Sequence, residues 1–152
     1  MPTCILVAEP EPHVRRVLRF ILEAAGHEVL AVDSGEEAWL RLASFQPDLV
    51  LAGASLPGLD GVTLLQSMRS RPEFTGVPVI ILTAETQAQS RARALSFGAN
   101  DVLVKPFDHE ELVLRVAAVL ARTQFQRRTI ALAHAAPAQD AATARALEPA
   151  CS

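Results

Sequence analysis

The chain has 152 residues, of which 50% are apolar and 20% charged, and its formal net charge is −3. At that length one domain with a short appendage is expected, without a second catalytic or DNA-binding domain, and the mild negative charge supplies no general pull toward nucleic acid or anionic membrane. No apolar run approaches the roughly 18 residues of a spanning helix, and the start "MPTCILVAEPEP" lacks a basic stretch leading into a signal-like core, so a cytoplasmic protein is expected.

Five short runs rich in Val, Ile and Leu, "CILVA", "EVLAV", "DLVLAGA", "VPVIIL" and "DVLV", have the character of strands buried on both faces. A helix-like stretch follows each. In the first, Val14, Val17, Leu18, Ile21, Leu22 and Ala25 recur at steps of three and four, with Pro12 suited to the first turn and Gly26 to the stop. The second opens with Ser34 and Glu37 at capping-box spacing. The third is expected over Gly61 to Arg71, ending before Pro72, and the fourth over Glu85 to Phe97, ending at Gly98. Asp108 and Glu111 repeat the capping spacing ahead of Leu112, Val113, Val116, Ala117 and Leu120.

Strands that alternate with helices pair in parallel through right-handed crossovers, giving an α/β domain of three layers with a doubly wound sheet. Ligands of such folds bind outside the carboxyl ends of the strands. The loops of interest are therefore Ala8 to Glu11, Gly53 to Pro57, Thr83 to Glu85 and Lys105 to Phe107. Beyond Arg122 the composition shifts: Thr123 to Ser152 holds ten Ala with Pro137 and Pro149, too little to build a core. The domain is placed at residues 1–122 and a tail at 123–152. The start of that tail can extend the last helix; a flexible remainder is expected, with docking of Phe125, Ile130 and Leu132 on the domain or on a partner as the alternative.

The stretches "ILVAEPEPHVRRVLRFILEAAGHEVLAVDSGEEAWLRL", "PDLVLAGASLPGLDG", "VPVIILTAE" and "GANDVLVKPFDHEEL" resemble, in order and spacing, the receiver domain of bacterial two-component response regulators over roughly Thr3 to Arg122. The resemblance is carried jointly by Leu56-Pro57-Gly58, Asp60-Gly61, Thr83-Ala84, Gly98-Ala99 and Lys105-Pro106-Phe107. It implies a (βα)5, flavodoxin-like fold with strand order 2-1-3-4-5. It also implies phosphoryl transfer from a histidine kinase to an aspartate ending the third strand, beside Mg²⁺ held by an acidic pair after the first. A hydroxyl after the fourth strand and a lysine after the fifth contact the phosphoryl oxygens, and an aromatic on the fifth strand rotates inward to report the change.

Against that pattern the acceptor position is Gly53, which has no carboxylate to attack with. The acidic pair becomes Glu9 and Pro10, leaving Mg²⁺ short of the hard oxygen ligands it requires, and Glu11 falls one position along at an ordinary acidic site of the family. Val102 stands where the switch aromatic belongs. Thr83 and Lys105 remain as phosphate-contact positions, Thr83 reading equally well as a hydroxyl that satisfies backbone at a strand end. An unpaired ammonium at a partly buried site is costly, so an ion pair from Lys105 to Glu9 across the pocket is predicted. Gly53 itself reads either as a close backbone approach or as a position freed from chemistry.

The expectation is a degenerate pseudo-receiver: not an enzyme, using no cofactor and no metal, and acting through protein partners, a histidine kinase or another signalling protein, without phosphorylation. Its contact surface is expected on the fourth helix, fifth strand and fifth helix, roughly Gln87 to Ser96 and Val102 to Arg122, with self-association there as a further option. Nucleic acid and membrane are not expected partners. Two alternatives are a small-molecule sensor using the vacated pocket through Lys105 and Thr83, and a residual Mg²⁺-dependent acceptor using Glu9, Glu11 or Asp60. His13, His27, His109 and His134 show no ligand spacing and read as solvated surface. Arg122, Arg127 and Arg128 read as a solvated helix end, and Trp39 as core or contact. Cys4 and Cys151, far apart and without metal-like spacing, read as separate thiols.

Overall fold

The computed structural model describes residues 2–84 and 88–133. Five strands alternate with five helices: β1 (Cys4–Ala8), α1 (Pro12–Ala24), β2 (Glu28–Val32), α2 (Gly35–Phe45), β3 (Leu49–Gly53), α3 (Gly61–Arg69), β4 (Val79–Ala84), α4 (Ala88–Ser96), β5 (Asp101–Lys105) and α5 (His109–Ala133). All strand pairs are parallel, in the order β2-β1-β3-β4-β5. That is the expected flavodoxin-like arrangement.

Alternation along each strand sends successive side chains to opposite faces. Leu6, Val50, Ala52, Ile81 and Val102 join residues of α2, α3 and α4 in one buried cluster. Ile5, Val7, Leu51, Leu82 and Leu103 join residues of α1 and α5 in the other. The central strands β1 and β3 are buried from end to end, as helices on both faces require.

Local signals set the helix ends. The Glu11 carboxylate accepts from His13 N at 3.2 Å at the start of α1, Ser34 Oγ from Glu37 N at 3.1 Å at α2, and Asp60 Oδ1 from Thr63 N at 2.8 Å at α3. α3 stops at Arg69, short of the expected Arg71, because Ser70 forms the cap and Arg71 N turns back to Met68 O at 3.2 Å. Glu85, Thr86 and Gln87, expected in α4, lie outside the described residues.

Several expectations change. α5 runs past Arg122 to Ala133, and Thr123 is still buried, its hydroxyl donating to Val119 O at 2.9 Å. The extension of the last helix is real up to that point, and the tail from His134 lies outside the described residues. Phe125, Ile130 and Leu132 are 60–70% exposed and are not docked on the domain. Arg127 is not merely solvated, since it donates to Gly76 O at 3.2 Å. His27 is half-buried rather than solvated: its Nδ1 is buried without a hydrogen-bond partner among the described residues, and burial lowers its pKa. Cys4 is buried and carries no free thiol, which corrects its reading as one, while Cys151 lies outside the described residues. Trp39 packs against the core with its ring 5.7 Å from that of Phe74, edge to face.

Candidate functional site

Parallel strands place the carboxyl ends of β1, β3, β4 and β5 on one edge of the sheet, and the four expected positions meet there. Glu9 follows β1, Gly53 ends β3, Thr83 lies next to last in β4, and Lys105 ends β5. Glu9 is 1% exposed, an unusual burial for a carboxylate that demands partners. It has them. Glu11 N donates to Oε2 at 3.2 Å, and the Lys105 ammonium donates to Oε1.

The ion pair predicted from the sequence is therefore present, and it crosses the ends of β3 and β4. A Cβ built on Gly53 would sit 3.6 Å from Glu9 Oε1, 3.7 Å from Ala8 O and 3.7 Å from a Leu56 methyl. The pair thus borders the space that a side chain at position 53 would enter. Those are ordinary van der Waals distances, and Gly53 is not among the glycines with positive φ. Glycine at 53 is therefore not imposed by close approach. Close approach does require glycine at Gly61, whose added Cβ would fall 2.1 Å from Gly53 O, as it does at Gly35, whose added Cβ would fall 1.7 Å from Leu59 O.

Beside Glu9, the Pro10 side chain offers no oxygen. Arg15 donates from Nη1 to Glu9 O at 2.7 Å and to Pro10 O at 3.3 Å, fixing the loop backbone. The sequence reading missed this arginine; its position on the first turn of α1, facing the preceding loop, was the available signal. The carboxylates of Glu11 and Asp60 cap α1 and α3. Mg²⁺ takes an octahedron of oxygens. With both Glu9 oxygens accepting from protein donors and no carboxylate at position 10, this donor set does not fit that ion.

Thr83 is buried, its hydroxyl lying 3.4 Å from Ala84 O as donor. Val102 is 3% exposed and shares the buried cluster that contains Ile81 and Ala94, with no polar atom to move between pocket and surface. Lys105 precedes a cis peptide bond to Pro106. The assembled site holds two opposite charges in contact, a buried hydroxyl nearby, and no nucleophile at the end of β3.

Residues 5–117 match the family model described as response regulator receiver domain. The chain belongs to that family. Receivers act in two-component signal transduction, and that is this domain's setting. It is 42% identical over 120 residues to the phosphate regulon transcriptional regulatory protein PhoB of Rhizobium meliloti, covering 79% of this chain and 53% of that protein. It is 39% identical over 127 residues to the two-component response regulator PhoP of Pseudomonas aeruginosa, covering 83% of this chain and 56% of the relative. The chain thus spans about half the length of these relatives. Among solved structures, a response regulator from Chloroflexus aurantiacus superposes with a TM-score of 0.77 at 36% identity, covering 80% of this chain and 99% of that one. Among the described residues, no helix of this receiver is long and apolar enough to cross a membrane.

Proposed function

We propose that this chain is a receiver that does not accept a phosphoryl group on its third strand and that signals by binding protein partners; it is not an enzyme. The observation that carries this reading is the Glu9–Lys105 pair beside Gly53. The family's phosphoryl chemistry needs an attacking carboxylate and cations that neutralise the transferring group. Here the lysine is committed to the glutamate, and the attacking group is missing altogether. Val102 supports the same reading, since a buried aliphatic side chain has no second position to report.

The partner surface that fits is the face of α4, β5 and α5, for a histidine kinase or another signalling protein. Arg115 of α5 grips Asp101 of β5 with two bonds, of 2.9 and 3.0 Å, which raises the arginine's pKa and fixes the two elements against each other. Leu95 and Phe97 are 47% and 37% exposed at the end of α4 and give this rigid face an apolar border. Without a phosphoryl switch, control lies in abundance or competition among partners, because only a ligand with differential affinity shifts a conformational equilibrium.

Intact mass and thermal melting of the purified protein test the reading, with Mg²⁺ plus acetyl phosphate and separately with Mg²⁺ plus beryllofluoride. The expected result is no mass gain and no stabilisation. A Mg²⁺-dependent gain of one phosphoryl group would overturn it and send attention to an unorthodox acceptor.

A further inference from the structure

α5 carries two apolar stripes. The inner one, Leu112, Val116, Val119 and Thr123, is buried against the domain. The outer one, Leu114, Ala118, Ala121 and Phe125, is exposed throughout. Each outer residue follows an inner one by two positions, about 200° around a helix, so the outer stripe points away from the sheet. Leu114 and Phe125 are 67% and 70% exposed. An ordinary surface helix is polar on that side. The stripe also runs into the part of α5 that continues past Arg122 to Ala133, where Phe125 stands, beyond the family-model match over residues 5–117.

The occupant is legible in the order of the residues. Steps of four and three from Leu114 to Phe125 are those of a coiled-coil seam. One step before Leu114 stands Glu111, and one step after Phe125 stands Arg128. The stripe therefore reads the same from both ends in kind: charge, large, small, small, large, opposite charge. A second copy laid antiparallel sets Leu114 opposite Phe125, Ala118 opposite Ala121, and Glu111 opposite Arg128, each contact occurring twice as a two-fold interface requires. The two alanines at the centre allow the helix axes to approach closely, and Phe125 fills the wider spaces beside them. A parallel pairing would instead set Arg128 against Arg128.

We propose that two copies of this chain associate through the outer face of α5 as an antiparallel helix pair, with Phe125 and Leu114 as anchors and Glu111–Arg128 pairs at both ends. This differs from the face of α4, β5 and α5 to which the sequence pointed, because no α4 residue takes part. It is independent of what the pocket beside Gly53 does.

Sedimentation of the full chain over a concentration series reads this directly. The wild type is expected to shift from monomer to dimer, and Phe125→Glu to weaken dimerisation by about a hundredfold, as loss of an aromatic anchor does, with an unchanged melting curve at concentrations where both proteins are monomeric. Glu111→Arg and Arg128→Glu are each expected to weaken it and the two together to restore it, which a merely surface-active helix would not show. A wild type that stays monomeric at all concentrations overturns the proposal. So does a dimer that ignores these changes but is broken by Leu95→Glu, and so does a monomer whose melting temperature falls in Phe125→Glu, which would put residues 134–152 on the stripe instead.

Discussion

Lys105 at the end of β5 reaches over the ends of two strands to bond Glu9 behind β1, across the position where Gly53 contributes no side chain. Lys105 is 34% exposed on its side chain and Glu9 only 1%, so the two ends of the pair are not equivalent. Removing the lysine strands a buried carboxylate, whereas removing the glutamate leaves an ammonium that can turn toward water. Lys105→Met is therefore expected to cost about 1–3 kcal/mol, less than a fully buried pair because of its exposure. Glu9→Gln should cost less, and the double variant should recover part of the loss. Denaturant midpoints of the four proteins form the cycle; a Lys105→Met protein as stable as wild type would mean that Glu9 is held by its other partners alone.

A Cβ at position 53 finds contacts at 3.6 to 3.7 Å, and the backbone there has no positive φ. Gly53→Ala is therefore expected to stabilise the domain by about 0.5–1 kcal/mol, through the entropy that glycine loses on folding. Gly61→Ala should do the opposite, since its Cβ would fall 2.1 Å from Gly53 O. Thermal melts of the two variants should move in opposite directions, and a destabilised Gly53→Ala would show that the pocket leaves no slack for even a methyl group.

The same space bears on chemistry. Gly53→Asp would bring a second carboxylate beside Glu9 without supplying an oxygen at position 10, so Mg²⁺ would still lack its ligands. The single variant should gain no phosphoryl group from acetyl phosphate and Mg²⁺. Pro10→Asp added to it supplies the missing oxygen donor, and its intact mass should then show labelling. Robust labelling of Gly53→Asp alone would show that the carboxylate lost at Pro10 is dispensable.

The five strands and five helices were legible because burial on both faces leaves strands as unbroken runs of Val, Ile and Leu, while the helices keep a step of three and four. The Glu9–Lys105 pair was legible because a charge left without its counterpart must find another. Two kinds of feature stayed hidden. That α5 could continue past Arg122 was legible, but not how far it runs or whether it packs, because a composition rich in alanine favours a helix without showing either. Arg69, Arg15 and His27 act through backbone carbonyls or through burial, and neither leaves a pattern in side-chain spacing.

Arg69 shows what such a residue does. It donates to Gly98 O at 3.0 Å, to Val77 O at 2.8 Å and to Thr75 O at 3.2 Å, with Asn100 Oδ1 at 3.0 Å, tying the end of α3 to the loops that precede β4 and β5. Burial lowers its pKa, but a guanidinium keeps its charge through the accessible range. Lysine can supply a charge but not a planar fork. Arg69→Lys is expected to cost about 1–3 kcal/mol, with Arg69→Met no worse, because several carbonyls lose donors in both. Equal stability of Arg69→Lys and wild type, measured by urea unfolding, would show that charge rather than geometry is what those loops need.

His27 gives the domain a pH dependence of known sign. Burial lowers its pKa below the ordinary 6.5, and among the described residues Nδ1 has no acceptor for the N–H it would gain on protonation. The unfolded chain therefore binds a proton at that position before the folded one does. Stability from the neutral imidazole is complete above the unfolded value and is lost as pH falls from there through the folded value. Carboxylates add their own losses at lower pH, in the wild type and in a His27 variant alike. Melting temperatures of wild type and His27→Gln, followed from about pH 7.5 to about pH 5, should diverge in slope, the wild type falling more steeply. Parallel curves would mean that the imidazole takes up its proton in the folded state as readily as in the unfolded one, and that the ring moves to water to do so.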